Sequence, residues 1–296
     1  MEGGAVAAAR PATAEQIVLA RKLKAIREQA RVGYKQAAEA LGMHDTAIRR
    51  MEGCEVALKP ILVRELLTLY GLPKGEIATF LDDVAAANRP AWWNTFRDVL
   101  PPSSALFVSL AGAASLIRSY EPQSVPDLLQ TEDYARALLR ARHGEAPEEE
   151  IERRVSLTME RQKRYLAAEP GPCTLWTILD ETALRRSVGG PAVMGPQIEH
   201  LIQSAKLPHI QLQILPHTAG VYPGMGEPFH LFRFAAPELP DVVHRANLGG
   251  SEYLYDGTSA YLAGLDQMSV LAGALRDTPD FLRHIGTTVW SLRTVR

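Results

Sequence analysis

The sequence predicts a mainly α N-terminal domain of five helices, built around a helix-turn-helix, followed by a larger α+β C-terminal domain. Between Gln16 and Ala87 apolar residues recur every three or four positions, which is the spacing of one helix face. From Cys173 onward several segments instead alternate apolar and polar residues, as half-buried strands do. A chain of 296 residues is long enough for two such domains.

The central stretch of the first domain is 34–53, YKQAAEALGMHDTAIRRMEG, which reads as two short helices and a tight turn. Gly42 stands where a glycine commonly ends a helix. In the second helix Ile48 and Met51 point inward at helical spacing. Another face of that helix is polar and basic and carries Thr46, Arg49 and Arg50. This is the helix-turn-helix plan, whose second helix fits the DNA major groove.

Three further helices complete the predicted first domain. One precedes the helix-turn-helix at 16–30, and two follow it at 60–70 and 74–87, where Pro60 suits a helix start. We expect a disordered tail at 1–14, the helix-turn-helix domain at 15–88 and the α+β domain at 89–296.

The distribution of charge distinguishes the first domain from the rest of the chain. The net charge is −2, but between Gln16 and Gly53 eight Lys and Arg face four Asp and Glu, so this segment carries +4 and the remainder −6. A basic N-terminal segment on an otherwise acidic chain is typical of a protein that binds nucleic-acid phosphates through that segment. Cys54 and Cys173 lie far apart and have no zinc-ligand spacing, and no apolar run reaches the length of a membrane span. We therefore expect no cofactor, metal or membrane partner.

The first domain resembles the Cro/repressor, or xenobiotic-response-element, family of DNA-binding proteins. The matching residues are Ala38, Leu41-Gly42, Ile48 and Arg50-Met51-Glu52-Gly53. The resemblance implies double-stranded DNA as partner and a contact set at Tyr34, Lys35, Gln36, His44, Asp45, Thr46, Ala47, Arg49 and Arg50. The family usually has Gln at position 34, Ser at 44 and Gln at 45, so Asp45 either takes over the helix cap or sits in the first turn.

In the second domain we expect strands at 174–179, 210–214, 229–234, 242–245 and 252–255. Helices are expected at 105–120, 131–142, 147–165, 181–186, 194–205, 259–275 and 279–295. We expect the aromatic cluster Trp92, Trp93 and Phe96 to join the second core. The basic residues of the long helix, Arg161 among them, are expected to form a solvated face.

The usual signatures of catalysis do not occur in the second domain: GxSxG, HExxH, the P-loop and GxGxxG after a strand are missing from the sequence. His200, His209 and His217 match no metal-ligand spacing. A small-molecule pocket lined by Trp176, Tyr222 and His230 is the candidate ligand site, with core packing as the alternative for Trp176. The glycine-rich stretch 220–226, GVYPGMG, reads as a hairpin or lid loop.

The second domain resembles DUF5753, the domain of unknown function that follows a repressor-type helix-turn-helix in many actinobacterial regulators. The matching pieces are 126–136, Leu179-Asp180-Glu181, Ala183-Leu184-Arg185, Val188-Gly189-Gly190 and 210–216. The resemblance implies a cytoplasmic transcription regulator, and we expect a dimer that binds a specific sequence and receives an effector or partner on its C-terminal domain. The alternatives are an antitoxin-like regulator with a small protein partner, and an enzyme with a DNA-binding head.

Overall fold

The computed structural model describes residues 12–166, 173–247 and 250–291, and these residues form twelve α-helices and one six-stranded sheet. The helices are α1 (Ala14–Gln29), α2 (Tyr34–Ala40), α3 (Asp45–Glu52), α4 (Pro60–Leu69), α5 (Lys74–Ala87), α6 (Pro102–Ala113), α7 (Glu132–Arg142), α8 (Glu148–Tyr165), α9 (Glu181–Arg185), α10 (Pro191–Ser204), α11 (Thr258–Leu271) and α12 (Thr278–Val289). The strands are β1 (Ala114–Glu121), β2 (Thr174–Asp180), β3 (Ile210–Leu215), β4 (Phe229–Phe234), β5 (Val242–Asn247) and β6 (Gly250–Leu254).

The chain divides into two compact units. The first combines the residues up to Thr95 with Pro101–Ala113 and Ala236–Leu239, and the second holds the other residues. The first unit therefore contains α6 in addition to the five helices expected there. The second unit is α+β, with the sheet and the remaining helices, as the sequence predicted.

The five helices of the predicted first domain are confirmed, and they share one apolar core. Its fully buried members include Leu23, Ile48, Val63, Leu66 and Leu67. Helix α1 begins at Ala14, ahead of the predicted start, because Thr13 and Gln16 form a reciprocal capping box. Of the tail expected at 1–14, residues 1–11 lie outside the described residues.

The main error in the predicted elements is at 105–120, where one helix was expected. Helix α6 ends at Ala113 and β1 starts directly at Ala114. All residues from Ile117 to Glu121 are buried, so this strand lacks the alternation that marks a half-buried strand. A short strand of this kind cannot be told from a buried helix by its periodicity.

The sheet has the order β3-β2-β1-β4-β5-β6. Strands β1, β2 and β3 are parallel, whereas β4, β5 and β6 form an antiparallel meander beside β1. Successive side chains of a strand point to opposite faces. The register therefore puts Tyr120, Trp176 and Phe229 on one face, which we call the first face, and Glu121 and His230 on the second face.

Different elements cover the two faces of the sheet. Leu265 and Met268 of α11 pack with Tyr120 and Leu231 on the first face. On the second face, Asp127 from the short 3-10 helix Asp127–Leu129 and Arg161 from α8 lie close enough to His230 to influence its charge. The part of the first face around Tyr120 is thus covered by apolar side chains of α11, and the second face carries ionisable groups around His230.

Two expectations about the ends of the second domain are also corrected. Trp92 and Trp93 belong to the first unit, whereas Phe96 belongs to the second unit, so the prediction holds for Phe96 alone. The two tryptophans are half-buried and meet edge to face with ring centroids 5.7 Å apart. All three aromatic residues lie in one 3-10 helix, Trp92–Phe96, at the point in the chain where the first unit ends, so the cluster is divided between the two units. The last helix ends at Val289 instead of Val295, and 292–296 lie outside the described residues.

Candidate functional site

The turn between α2 and α3 has the geometry of a glycine-ended helix. Gly42 has a φ of 62°, in the left-handed region that glycine adopts without steric cost. The backbone N–H of Met43 then donates to the carbonyl of Ala38 at 2.9 Å and closes the helix end. Ile48 and Met51 are 0% and 3% exposed, so α3 is anchored in the core through its inner face.

The structure places all nine predicted DNA-contact residues on the first turn of α2 and along α3. Lys35, Gln36, His44, Thr46, Arg49 and Arg50 are exposed, and Tyr34, Asp45 and Ala47 are half-buried. The Arg49 guanidinium lies 4.1 Å from the centroid of the Tyr34 ring, which joins the two segments into one surface. We call this surface the α2–α3 face.

The start of α3 resolves the two arrangements considered for Asp45. His44 is the N-cap residue by backbone geometry, and Asp45 is the first helical residue, where the helix dipole favours a carboxylate. The Nδ1 atom of His44 lies 2.8 Å from an Asp45 carboxylate oxygen and 3.2 Å from the Thr46 hydroxyl. The His44 side chain does not cap the helix, and the Asp45 side chain is 36% exposed on the α2–α3 face.

A buried ion pair joins α1 to the end of α3. The Arg27 Nε and Nη2 atoms donate to the two Glu52 carboxylate oxygens at 2.7 and 2.9 Å, and Nη1 donates to the Val32 carbonyl at 3.0 Å. The two side chains are 6% and 2% exposed. The hydrogen bond to Glu52 raises the pKa of Arg27. This bidentate pair ties the C-terminal end of α3 to α1.

The three residues predicted to line a ligand pocket do not come together. Trp176 lies on the first face, half-buried, where its indole N–H donates to Gln213 at 2.9 Å and the Arg118 guanidinium stacks 4.2 Å from its ring. Tyr222 also packs against the first face, but His230 points from the second face. Strand parity therefore separates His230 from the other two.

Tyr222 instead anchors the glycine-rich loop 220–226. Its hydroxyl donates to the Asp180 carboxylate at 2.6 Å, and the Tyr120 hydroxyl, also 2.6 Å away, completes the network. Because the single Tyr222 proton goes to Asp180, Tyr120 is the donor to Tyr222. The backbone N–H of Gly226, whose φ is 82°, approaches the Tyr120 oxygen at 3.4 Å. The loop is thus tied to β1 and β2.

A cluster of ionisable side chains on the second face was not predicted. It contains Glu121, Asp127, Arg161, His230 and His244. The Nε2 atom of His230 is 3.0 Å from a Glu121 carboxylate oxygen, and Arg161 forms an ion pair with Asp127. Arg161 is 7% exposed, so the expectation of a solvated position is wrong for this residue. Its acidic partner comes 34 residues earlier, too distant for helical spacing to show.

The charges of this cluster depend on one another. Burial lowers the pKa of His230, but the neighbouring Glu121 carboxylate outweighs it and raises that pKa above its usual value. Burial would raise the pKa of Asp127, yet the Arg161 guanidinium holds it below its usual range. Burial and the charge on His230 lower the pKa of His244 to about 3. The cluster therefore favours the charged form of His230 and the neutral form of His244.

We expect His244 to make the second unit less stable in acid. Unfolding exposes an imidazole with a pKa of about 6.5, so the unfolded chain takes up a proton that folded His244 refuses until about pH 3. His244 therefore costs no stability above pH ~6.5. Below that pH the free energy of unfolding falls, by up to about 1.4 kcal/mol per pH unit. Urea unfolding between pH 7 and 4 should show a shallower decline in His244→Leu than in wild type. Equal slopes would contradict the assignment.

His230 acts with the opposite sign in the same experiment. Its raised pKa stabilises the fold below the unfolded value of about 6.5, and that contribution is lost as pH rises through the folded value. Asp127, Arg161 and Tyr253 also face or touch the two histidines, so the comparison is made with those groups unchanged.

The described parts of the chain contain neither a candidate metal site nor a candidate membrane-spanning helix. No group of three or more His, Cys, Asp or Glu side chains in 12–166, 173–247 and 250–291 is arranged to hold a metal ion, and this includes His200, His209 and His217. Among the helices built from those residues, none combines the length and apolar character required to cross a bilayer.

Comparison with known families locates both parts of the chain. Residues 18–80 match the family described as a helix-turn-helix domain. Residues 104–284, more than half of the chain, match the family described as a domain of unknown function, DUF5753. No curated protein and no solved structure matches the chain. The protein therefore belongs to the DUF5753 family and carries a helix-turn-helix domain at its N-terminal end.

Proposed function

We propose that the protein is a cytoplasmic transcription regulator that binds a specific DNA sequence through the α2–α3 face. The observation that carries this proposal is α3 itself: its inner residues Ile48 and Met51 are buried, while Thr46, Arg49 and Arg50 are exposed. An eight-residue helix is about 12 Å long and has the diameter that the major groove admits. The helix-turn-helix family match supports the same function.

The residues of the α2–α3 face differ in the contacts they can make. Helical spacing puts Thr46 and Arg50 on the outward side of α3, opposite the core, where base edges are within reach. Lys35 and Gln36, exposed on the first turn of α2, are suited to the sugar-phosphate backbone. Asp45 repels phosphate but can accept a hydrogen bond from cytosine N4.

Replacing Arg49 and Arg50 together with Ala should weaken operator binding and lower its salt dependence. Each lost phosphate contact reduces the slope of log K against log salt by about 0.9. The helix should persist, since Ala is the best helix former. The measurement is a gel-shift titration at several salt concentrations on the site recovered from genomic binding. The matched control is Arg276→Ala, which removes an exposed arginine from the second unit. Unchanged affinity and slope would contradict the proposal.

We further propose that the protein works as a dimer and that its second unit receives an effector. Two heads related by symmetry can read half-sites about one helical turn apart, which supplies the specificity that a single head lacks. The ionisable cluster on the second face supports an effector site there. It lies beside the carboxyl end of β1, where the parallel half of the sheet meets the antiparallel half.

One observation favours the antitoxin-like alternative, in which the second unit binds a small protein. The loop 220–226 exposes Val221 and Met225, at 89% and 58%, while Tyr222 fixes the loop to the sheet. Fixed apolar side chains on a surface suit a protein partner more than solvent. Purification under native conditions distinguishes the models: a small protein that co-purifies with wild type but not with Val221→Ser/Met225→Ser supports the partner, and a metabolite supports the effector.

A further inference from the structure

The Tyr34 ring has a guanidinium on each side. The central carbon of Arg27 lies 3.9 Å from the ring centroid and that of Arg49 lies 4.1 Å from it. Two guanidinium groups at these distances would overlap and repel if they shared one face of the ring. The ring is therefore stacked between them, with one cation from α1 and one from α3.

The two arginines of this stack differ in mobility. Arg27 is buried and holds Glu52 through two hydrogen bonds, so it fixes the inner side of the ring. The Arg49 side chain is 57% exposed and forms an ion pair with Asp45, one turn earlier in α3, at 3.5 Å. An exposed pair at that spacing restrains a side chain weakly. The contact with the Tyr34 ring is thus the main restraint on the Arg49 side chain.

The direction of Arg49 follows from helical geometry. At about 100° per residue, Arg49 lies roughly 80° around α3 from the line midway between Thr46 and Arg50. It therefore stands on the flank of the helix beside α2, whereas Thr46 and Arg50 face outward. A side chain on the flank of a helix in the groove meets the sugar-phosphate backbone at the groove edge before it meets a base.

We propose that Tyr34 is a positioning residue that holds the Arg49 guanidinium ready for one DNA phosphate. This inference rests on the proposed function. Stacking on the ring leaves the edges of the planar guanidinium, which carry its N–H donors, open to a phosphate. It also removes rotamer freedom before binding, so less is lost when the contact forms. Tyr34 then acts on DNA binding through Arg49.

The test is a double-mutant cycle on the operator found by genomic binding. Tyr34→Phe keeps the ring, and Tyr34→Leu removes it; each is combined with Arg49→Ala and, as a matched control, with Arg50→Ala. Arg50 is 58% exposed against 57% for Arg49, and its 3.4 Å contact is with Glu55. Tyr34→Phe should bind like wild type. Tyr34→Leu should weaken binding roughly 2- to 10-fold, the effect of a stacking contact of this type.

The pattern of coupling decides the inference. Tyr34→Leu should have no further effect in the Arg49→Ala background and its full effect in the Arg50→Ala background. Arg49→Ala should lower the salt slope by about 0.9 and leave the selected base sequence unchanged. Equal losses from Tyr34→Leu in both backgrounds, or a loss in Tyr34→Phe as large as in Tyr34→Leu, would overturn the inference. Tyr34→Met replaces Tyr34→Leu if the latter does not fold.

The same experiment separates this inference from the proposed function. If wild type selects no DNA sequence, the proposed function fails and the inference fails with it. If wild type binds a defined site but Tyr34 and Arg49 act independently, the inference fails and DNA binding stands.

Discussion

Replacing Glu52 with Leu should destabilise the first unit by about 3–5 kcal/mol, because it removes the buried counter-charge of the Arg27 guanidinium. Arg27 would keep its hydrogen bond to the Val32 carbonyl, which carries no charge, and a 3.6 Å contact with Glu28, whose exposed carboxylate is screened by solvent. The C-terminal end of α3 would lose its ion pair with α1 at the same time. Urea unfolding, with hydrogen exchange of peptides from α1 and α3 as the local readout, measures the change.

The control for Glu52→Leu removes both charges together. Arg27→Met with Glu52→Leu replaces the pair by apolar side chains of similar size, and its stability should return to within about 1 kcal/mol of wild type or exceed it. Lys24→Gln, which breaks a 4.0 Å exposed pair with Glu28, should cost less than about 1 kcal/mol. If the double variant is as unstable as Glu52→Leu, the buried charge is not the cause.

Asp180→Ala should destabilise the second unit by about 2–4 kcal/mol. The Asp180 side chain caps α9 by accepting the Thr182 N–H at 2.7 Å, and loss of such a cap costs about 1 kcal/mol. It also accepts the Tyr222 hydroxyl at 2.6 Å, and a hydrogen bond to a buried charged group contributes about 1.5–3 kcal/mol. Urea unfolding measures the total, and hydrogen exchange in 220–226 shows whether the loop is released.

Two variants divide the effect of Asp180 between its partners. Asp180→Asn keeps a good N-cap residue but loses the charge, so it should be less harmful than Asp180→Ala. Tyr222→Phe keeps the ring packed on Phe229 and Tyr120 and removes the hydroxyl alone. It should release the loop while leaving α9 intact. A loop that exchanges no faster in Tyr222→Phe would show that packing, not the hydrogen bond, holds it.

The helix-turn-helix was predictable from the sequence because its signals are local. A glycine at the helix end, apolar residues one turn apart and a polar outer face all lie within 34–53. Strand β3 was also found, since Ile210, Leu212 and Ile214 alternate with Gln211 and Gln213 in the sequence, although five of its six residues are buried. Strand β1 was missed because both of its faces are covered, which removes the alternation.

The site in the second unit was less predictable, for a different reason. Sequence parity tells which residues of one strand share a face, but it does not relate the faces of two strands until their register is known. Trp176 and His230 were therefore assigned to one pocket although they lie on opposite faces. The Glu121–His230 pair joins neighbouring strands that are more than 100 residues apart in the chain, and the sequence carries no local signal for such a contact.

The position of β1 in the middle of the sheet affects how the chain is made. The ribosome completes β1 early, but Ser119 meets Thr177 of β2 only 58 residues later, and Ser115 meets Arg233 of β4 only 118 residues later. In the meander β4-β5-β6, by contrast, each strand pairs with the strand that follows it in the chain. This central strand of the sheet thus pairs with β4 only after much more of the chain has been made, at the stage when aggregation and chaperone capture compete with folding.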